Sequence, residues 1–175
     1  MSDNGRITLI FLCNLLLYFI VGELNFFLGG LSLHFHADAL LILFFGLYLG
    51  RMAGLVSATL LGFLADSVSP VPHGTYVIGY LGLWLFLVWG QRRIRRQNPV
   101  HLRTLAAATQ ILWLLLLTLH LRTGMEPNTV YWQRILMEIL FSGSLTYALA
   151  WPWCRFQKNL LYSLGWNIEA EYSQL

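Results

Sequence analysis

Residues 62–74 read GFLADSVSPVPHG, and this stretch constrains the fold more than any other. An apolar run stops at Asp66, and Pro70, Pro72 and Gly74 then break the backbone before apolar sequence resumes. The segments on both sides are apolar enough for a membrane. Non-helical backbone at membrane depth survives only where protein or water satisfies its polar groups. An acid there is costly, which makes Asp66 a candidate functional residue.

Composition fits that setting. Of 175 residues 57% are hydrophobic and 11% charged, with a mean hydropathy of +0.61, which lies well outside soluble-domain norms. We therefore expect an all-α integral membrane protein in a lipid bilayer. Seven Trp, eight Tyr and eleven Phe suit the aromatic belts at the two interfaces. Most of the +3 net charge comes from the cluster QRRIRRQ at residues 91–97, whose Arg92, Arg93, Arg95 and Arg96 orient the chain as a cytoplasmic loop rather than bind nucleic acid.

In chain order, a first span is expected at residues 7–27, retained as an anchor because no small-residue cleavage site follows it. It carries Asn14, Asn25 and Glu23, the last near enough to the far end to be interfacial. The sequence GGLSLHFHAD then reads as a solvated loop, and His34 and His36 lack the third ligand that a metal site needs. Residues 39–65 are apolar but contain Arg51. Mid-membrane burial of that charge would cost about 2.5–3.5 kcal/mol or more, so a hairpin turning at Gly50 and Arg51 is favoured, with spans at 38–49 and 52–66. The fifteen steps from Arg51 to Asp66 rise about 22 Å, short of the ~30 Å hydrocarbon core. Asp66 should then lie beneath the far surface, in a loop that dips inward.

Further spans are expected at 75–90, 104–121 and 130–153, followed by a cytoplasmic tail at 154–175, with Trp151 and Trp153 beside Arg155 and Lys158 as an inner-interface anchor. Six spans with both termini in the cytoplasm put nine of the eleven Lys and Arg inside and Asp66 on the opposite side. A five-span alternative flips the N-terminus.

Polar residues inside the spans have structural readings at hand. Gln110 and Thr109 suit interhelical hydrogen bonds, and Arg134 and Glu138, four apart, share a helix face and can pair. Alternatively Glu138 faces an interior shared with Asp66. Ser142, Gly143 and Ser144 allow close helix approach. Asp66, Ser69 and His73 form the one close acid, serine and histidine set, but in a proline-rich loop without an obvious oxyanion donor they do not suggest catalysis. Cys13 and Cys154 lack metal-ligand spacing and read as structural. No metal and no cofactor are expected.

On these residues the chain resembles the MreD family, small multispan subunits of the bacterial cell-elongation machinery. The family pattern around its central loop is approximately G-x-x-x-D-x-x-S-G-x-x-x-G, and this chain has Gly62, Asp66, Ser69, Pro70 and Gly74 at that spacing, with only the second glycine changed. Ala37 and Asp38 open ALLILFF where the family tends to have a proline and an acid. A span leading into an Arg-rich loop and a late WPW before a basic tail are also similar, so the resemblance covers residues 38–158. It implies a non-enzymatic scaffold of the bacterial inner membrane. That scaffold would bind MreC and, through it, MreB, RodA and the class B penicillin-binding transpeptidase in lateral peptidoglycan synthesis. It also implies a six-helix bundle similar to the substrate-binding subunits of energy-coupling-factor transporters. The rival expectation is a substrate-binding subunit or small-solute carrier with an outward pocket at Asp66 and Glu138.

Overall fold

The computed structural model describes residues 3–31, 33–91, 98–121 and 129–166. The four arginines of residues 92–97 and the polar connection at 122–128 lie outside the described residues, as does the tail beyond 166. Among the described residues the chain is all helical: α1 (Asp3–Leu28), α2 (Asp38–Tyr48), α3 (Arg51–Val68), α4 (Thr75–Gln91), α5 (Pro99–Leu121) and α6 (Thr129–Ser163), with a 3-10 turn at Gly29–Leu31. Four of these, α1, α3, α5 and α6, are long and apolar enough to cross a membrane, whereas α2 and α4 are shorter. Large apolar side chains such as Phe19, Phe26, Met52, Phe63 and Ile78 stand exposed on the outside of the bundle, as expected where the surrounding solvent is hydrocarbon.

The chain turns at Leu49 and Gly50, so Arg51 opens α3 at an exposed position and never enters the core. What the hairpin places in the centre is α2. All eleven of its residues, DALLILFFGLY, are buried. Its run of large apolar side chains has no polar face to turn outward, and α3, α4, α5 and α6 all pack on it.

A short helix enclosed in this way leaves its first N–H and last C=O groups without water. Side chains from other helices meet them. Gln110 Oε1 on α5 accepts from the Ala39 N–H at 2.9 Å, and Gln91 Nε2 on α4 donates to the Gly46 and Leu47 carbonyls at 3.1 and 2.9 Å. Gln110 thus bonds the backbone of a neighbouring element, but Thr109 does not act between helices, because its hydroxyl donates to Leu105 O in its own helix at 2.7 Å.

The segment before α2 departs from expectation. Residues 33–37 carry no regular secondary structure and enter the bundle, with Phe35 and Ala37 only 2% and 4% exposed, so HFHA is not a solvated loop. The Asn25 amide holds both backbone groups of Phe35, donating to its O at 2.9 Å and accepting from its N at 2.7 Å. Ser142 on α6 accepts from His36 N and donates to His34 O. In the loop after Asp66, by contrast, Pro70, Pro72 and His73 are exposed.

Helix α6 also differs, since it continues past Trp153 to Ser163 with Pro152 inside it. Its 35 residues rise about 52 Å, more than a bilayer core. The last turns return to the bundle: Gln157 is fully buried and donates to Asn14 Oδ1 on α1 at 2.9 Å, and the Lys158 ammonium lies 4.4 Å from the Tyr48 ring centre. Cys13 and Cys154 are free thiols.

Replacing Gln110 by Leu would leave the buried Ala39 N–H without its acceptor. A loss of about 1–3 kcal/mol is expected. Denaturant unfolding of the detergent-solubilised protein measures it, and unchanged stability would contradict the role given to Gln110.

Candidate functional site

Asp66 sits in the last turn of α3, 4% exposed, and its carboxylate reaches across to the head of α4. Oδ1 accepts from Tyr76 N at 2.9 Å, and Oδ2 accepts from Gly74 N at 2.9 Å and Val77 N at 3.2 Å. The remaining N–H groups of that first turn are met by the chain itself, Thr75 N on Pro72 O and Ile78 N on Gly74 O. Asp66 is thus a capping residue supplied by a neighbouring helix, with its negative charge at the positive end of the α4 dipole.

The glycines around it have matching reasons. A Cβ on Gly62 would stand 2.7 Å from the Val77 Cα, so only glycine lets α3 approach α4 this closely. Gly74 has φ +93°, in the left-handed region that L side chains rarely adopt. Ser69 is extended at φ −85°, ψ 142°, as a residue before proline prefers, and Pro70 is exposed. Neither position needs a glycine.

The other candidates do not assemble around Asp66. No hydrogen bond joins the side chains of Asp66, Ser69 and His73, and the Ser69 hydroxyl accepts from Val71 N at 3.4 Å. Glu138 accepts from Arg134 Nε at 3.1 Å on a helix face where Arg134 is exposed. Ser142 and Gly143 are buried and Ser144 is exposed. Among the described residues no group of three His, Cys, Asp or Glu could hold a metal ion.

A second acid has the more chemically open setting. Asp38 opens α2, is 7% exposed, and accepts at Oδ1 from the Tyr80 hydroxyl at 2.6 Å. Its Oδ2 has no hydrogen-bond donor among the described residues, and His36 Nδ1 stands 3.8 Å away. Asp38 and His36 line a cavity of about 330 Å³ between α1, the non-helical segment, and the adjoining ends of α2, α3 and α4. Glu23, exposed on α1, and the rings of Tyr18, Phe19 and Tyr76 complete the wall used below. Tyr80, which holds Oδ1, is not part of the lining, whereas Asp38 itself is.

The two acids are connected. By capping α4 at Tyr76, Asp66 places Tyr76 in the cavity wall and Tyr80, one turn later, on Asp38; the two rings lie edge to face with centroids 5.8 Å apart. Sequence reasoning noted Asp38 only as the opening of a helix and considered His36 only for a metal. The overlooked signal was an acid, a histidine and an asparagine flanking a short apolar helix. Compared with known proteins, the chain matches no family model, no curated protein and no solved structure.

Asp66→Leu removes all three acceptor contacts, and Asp66→Asn keeps an oxygen for only one side while turning an N–H₂ toward other donors. Both should destabilise, Asn by about 1–3 kcal/mol and Leu by more. Thermal unfolding in detergent checks the order, and equal, complete loss from both would show that the charge itself is indispensable.

Proposed function

We propose that the chain is a non-enzymatic scaffold subunit of the bacterial cell-elongation complex, similar to MreD, that holds an MreC-like single-span protein in the inner membrane. The observation that supports this reading is the use made of the resembling residues. Gly62, Asp66 and Gly74 join α3 to α4 and serve the fold, as a shared structural motif would, with no reacting group presented at Asp66.

In this reading the chain crosses the bilayer six times with both termini in the cytoplasm. The second span is composite: the non-helical residues 33–37 enter the bundle ahead of the eleven helical ones, whose rise alone is about 16 Å. The exposed apolar faces then meet lipid and the partner's span. The Arg92 to Arg96 cluster faces anionic lipid, where each basic residue contributes about 1 kcal/mol. Through MreC the subunit would act alongside MreB, RodA and the class B transpeptidase.

A second reading, a small-solute-binding subunit, is favoured by the cavity at Asp38 rather than by Asp66 or Glu138. Affinity purification of the tagged protein in mild detergent separates the two. The scaffold reading expects an MreC-like single-span protein to remain bound through gel filtration. Recovery of the chain alone, or joined to an ATPase module, would overturn it.

A further inference from the structure

We propose that the cavity at the head of α2 binds an organic cation, an ammonium or guanidinium group seated between Asp38 and Glu23. Among the described residues the cavity lining holds two carboxylates and no Lys or Arg, which disfavours an anionic ligand. One of these carboxylates, Asp38, is nine-tenths buried, with a side-chain exposure of 10%, and its Oδ2 has no hydrogen-bond donor among the described residues. A mostly buried carboxylate served by a single hydroxyl is incompletely satisfied, which carries a cost. The cost is recovered when a cation supplies the hydrogen bond.

Comparison with Asp66 sharpens the point. The fold gives Asp66 three backbone N–H groups, whereas it gives Asp38 a single hydroxyl. His36 at 3.8 Å is too far for a hydrogen bond to Oδ2, and its backbone N–H is held by Ser142. The aromatic wall of Tyr18, Phe19 and Tyr76 suits a cation, since ring faces attract positive charge, more so when water is excluded. At about 330 Å³ the space is at the small end of ligand pockets. It fits a compact amine or the end of a basic side chain, not a large cofactor.

The same chemistry has two sources, a free small amine or a Lys or Arg side chain of a membrane partner. The inference is independent of the scaffold reading, because the measurement below reads cavity occupancy and not complex formation. The full-length protein is reconstituted in nanodiscs, and its thermal midpoint is measured with millimolar benzylamine or agmatine, with benzyl alcohol as the neutral control. In parallel, a photo-crosslinking residue replaces Phe19, an exposed lining position, in intact membranes.

Stabilisation by the amines but not the alcohol, with affinity weakened about tenfold or more by Asp38→Asn and less by Glu23→Gln, supports the proposal with a free amine as occupant. Absence of amine stabilisation together with a crosslink to a Lys- or Arg-bearing peptide, lost in Asp38→Asn, supports it with a partner side chain. Asp38→Asn retains an acceptor for Tyr80. If it nevertheless fails to give a monodisperse protein, Glu23→Gln, at an exposed position, carries the comparison. Neither stabilisation nor a charge-dependent crosslink, or equal stabilisation of wild type and both variants, overturns the proposal.

Discussion

A backbone polar group removed from water has to find a partner, and all eleven residues of α2 are buried. This requirement accounts for much of the arrangement around it. Gln91 must be at the end of α4 to reach the carbonyls of Gly46 and Leu47, and Gln110 must lie midway along α5 to reach Ala39. Asn25 and Ser142 must flank the non-helical residues before α2, because Phe35 and His36 enter the bundle without a helix to pair their amides. Four side chains from four helices thus hold one short segment. Lipid offers no alternative partner for these groups, so the contacts fix the register of the surrounding helices as well as satisfying α2.

The same accounting separates the two buried acids. At Asp66 each donor at the head of α4 is matched, so the charge is stabilised by the backbone and by the helix dipole. At Asp38 the Tyr80 hydroxyl provides one contact, and the position at the start of α2 adds the dipole. Asp66 is thereby a positioning residue for Asp38, since the turn it caps carries Tyr76 and, four residues on, Tyr80. A change at the more conspicuous acid would be felt at the less conspicuous one through the register of α4.

How much of this could be read in advance depended on whether the signal was local. The break at Gly50 and Arg51 was legible because a glycine and a charge interrupt an apolar run, and the Arg134 to Glu138 contact follows from four-residue spacing. The central place of α2 was not legible. An apolar helix facing lipid and one facing protein have the same composition, and hydropathy does not distinguish them. Of Gln110 and Thr109, read as interhelical partners, only Gln110 bonds a neighbouring element, while Asn25, Gln91 and Ser142 bind backbone that for Gln91 and Ser142 is remote in sequence, 106 residues away for Ser142 and His36. The last span was ended at Trp153 because Trp151 and Trp153 beside Arg155 and Lys158 read as an interface anchor, although Pro152 there frees a helix carbonyl. In a bundle the freed carbonyl can be met by neighbours, and the helix continues. Asp38 was passed over because an acid opening a helix is ordinary, and its contact to Tyr80 is set by topology alone.

The wall of the cavity on the α1 side rests on a different balance from the rest. Only 11% of the membrane-length window of α1 is buried, against 39% for α3, and its exposed face carries Leu12, Leu16, Phe19 and Ile20. Its polar contacts to the bundle include Asn14 with Gln157 and Trp153 on α6, and Asn25 with the backbone of Phe35, while Ile10 reaches the core. Such interhelical hydrogen bonds contribute about 0.6 to 2 kcal/mol each in a membrane. Apolar packing adds less driving force there than in water, since lipid tails solvate Leu and Phe as well as protein does. Tyr18, Phe19 and Glu23 lie between Asn14 and Asn25, so these two hydrogen-bonded asparagines bracket one side of the cavity. The opposite side, built from α2, α3 and α4, is held by the close approach at Gly62 and by the cap from Asp66. The site therefore joins a closely packed three-helix half to the less buried α1, and it is on the packed half that the buried acid stands.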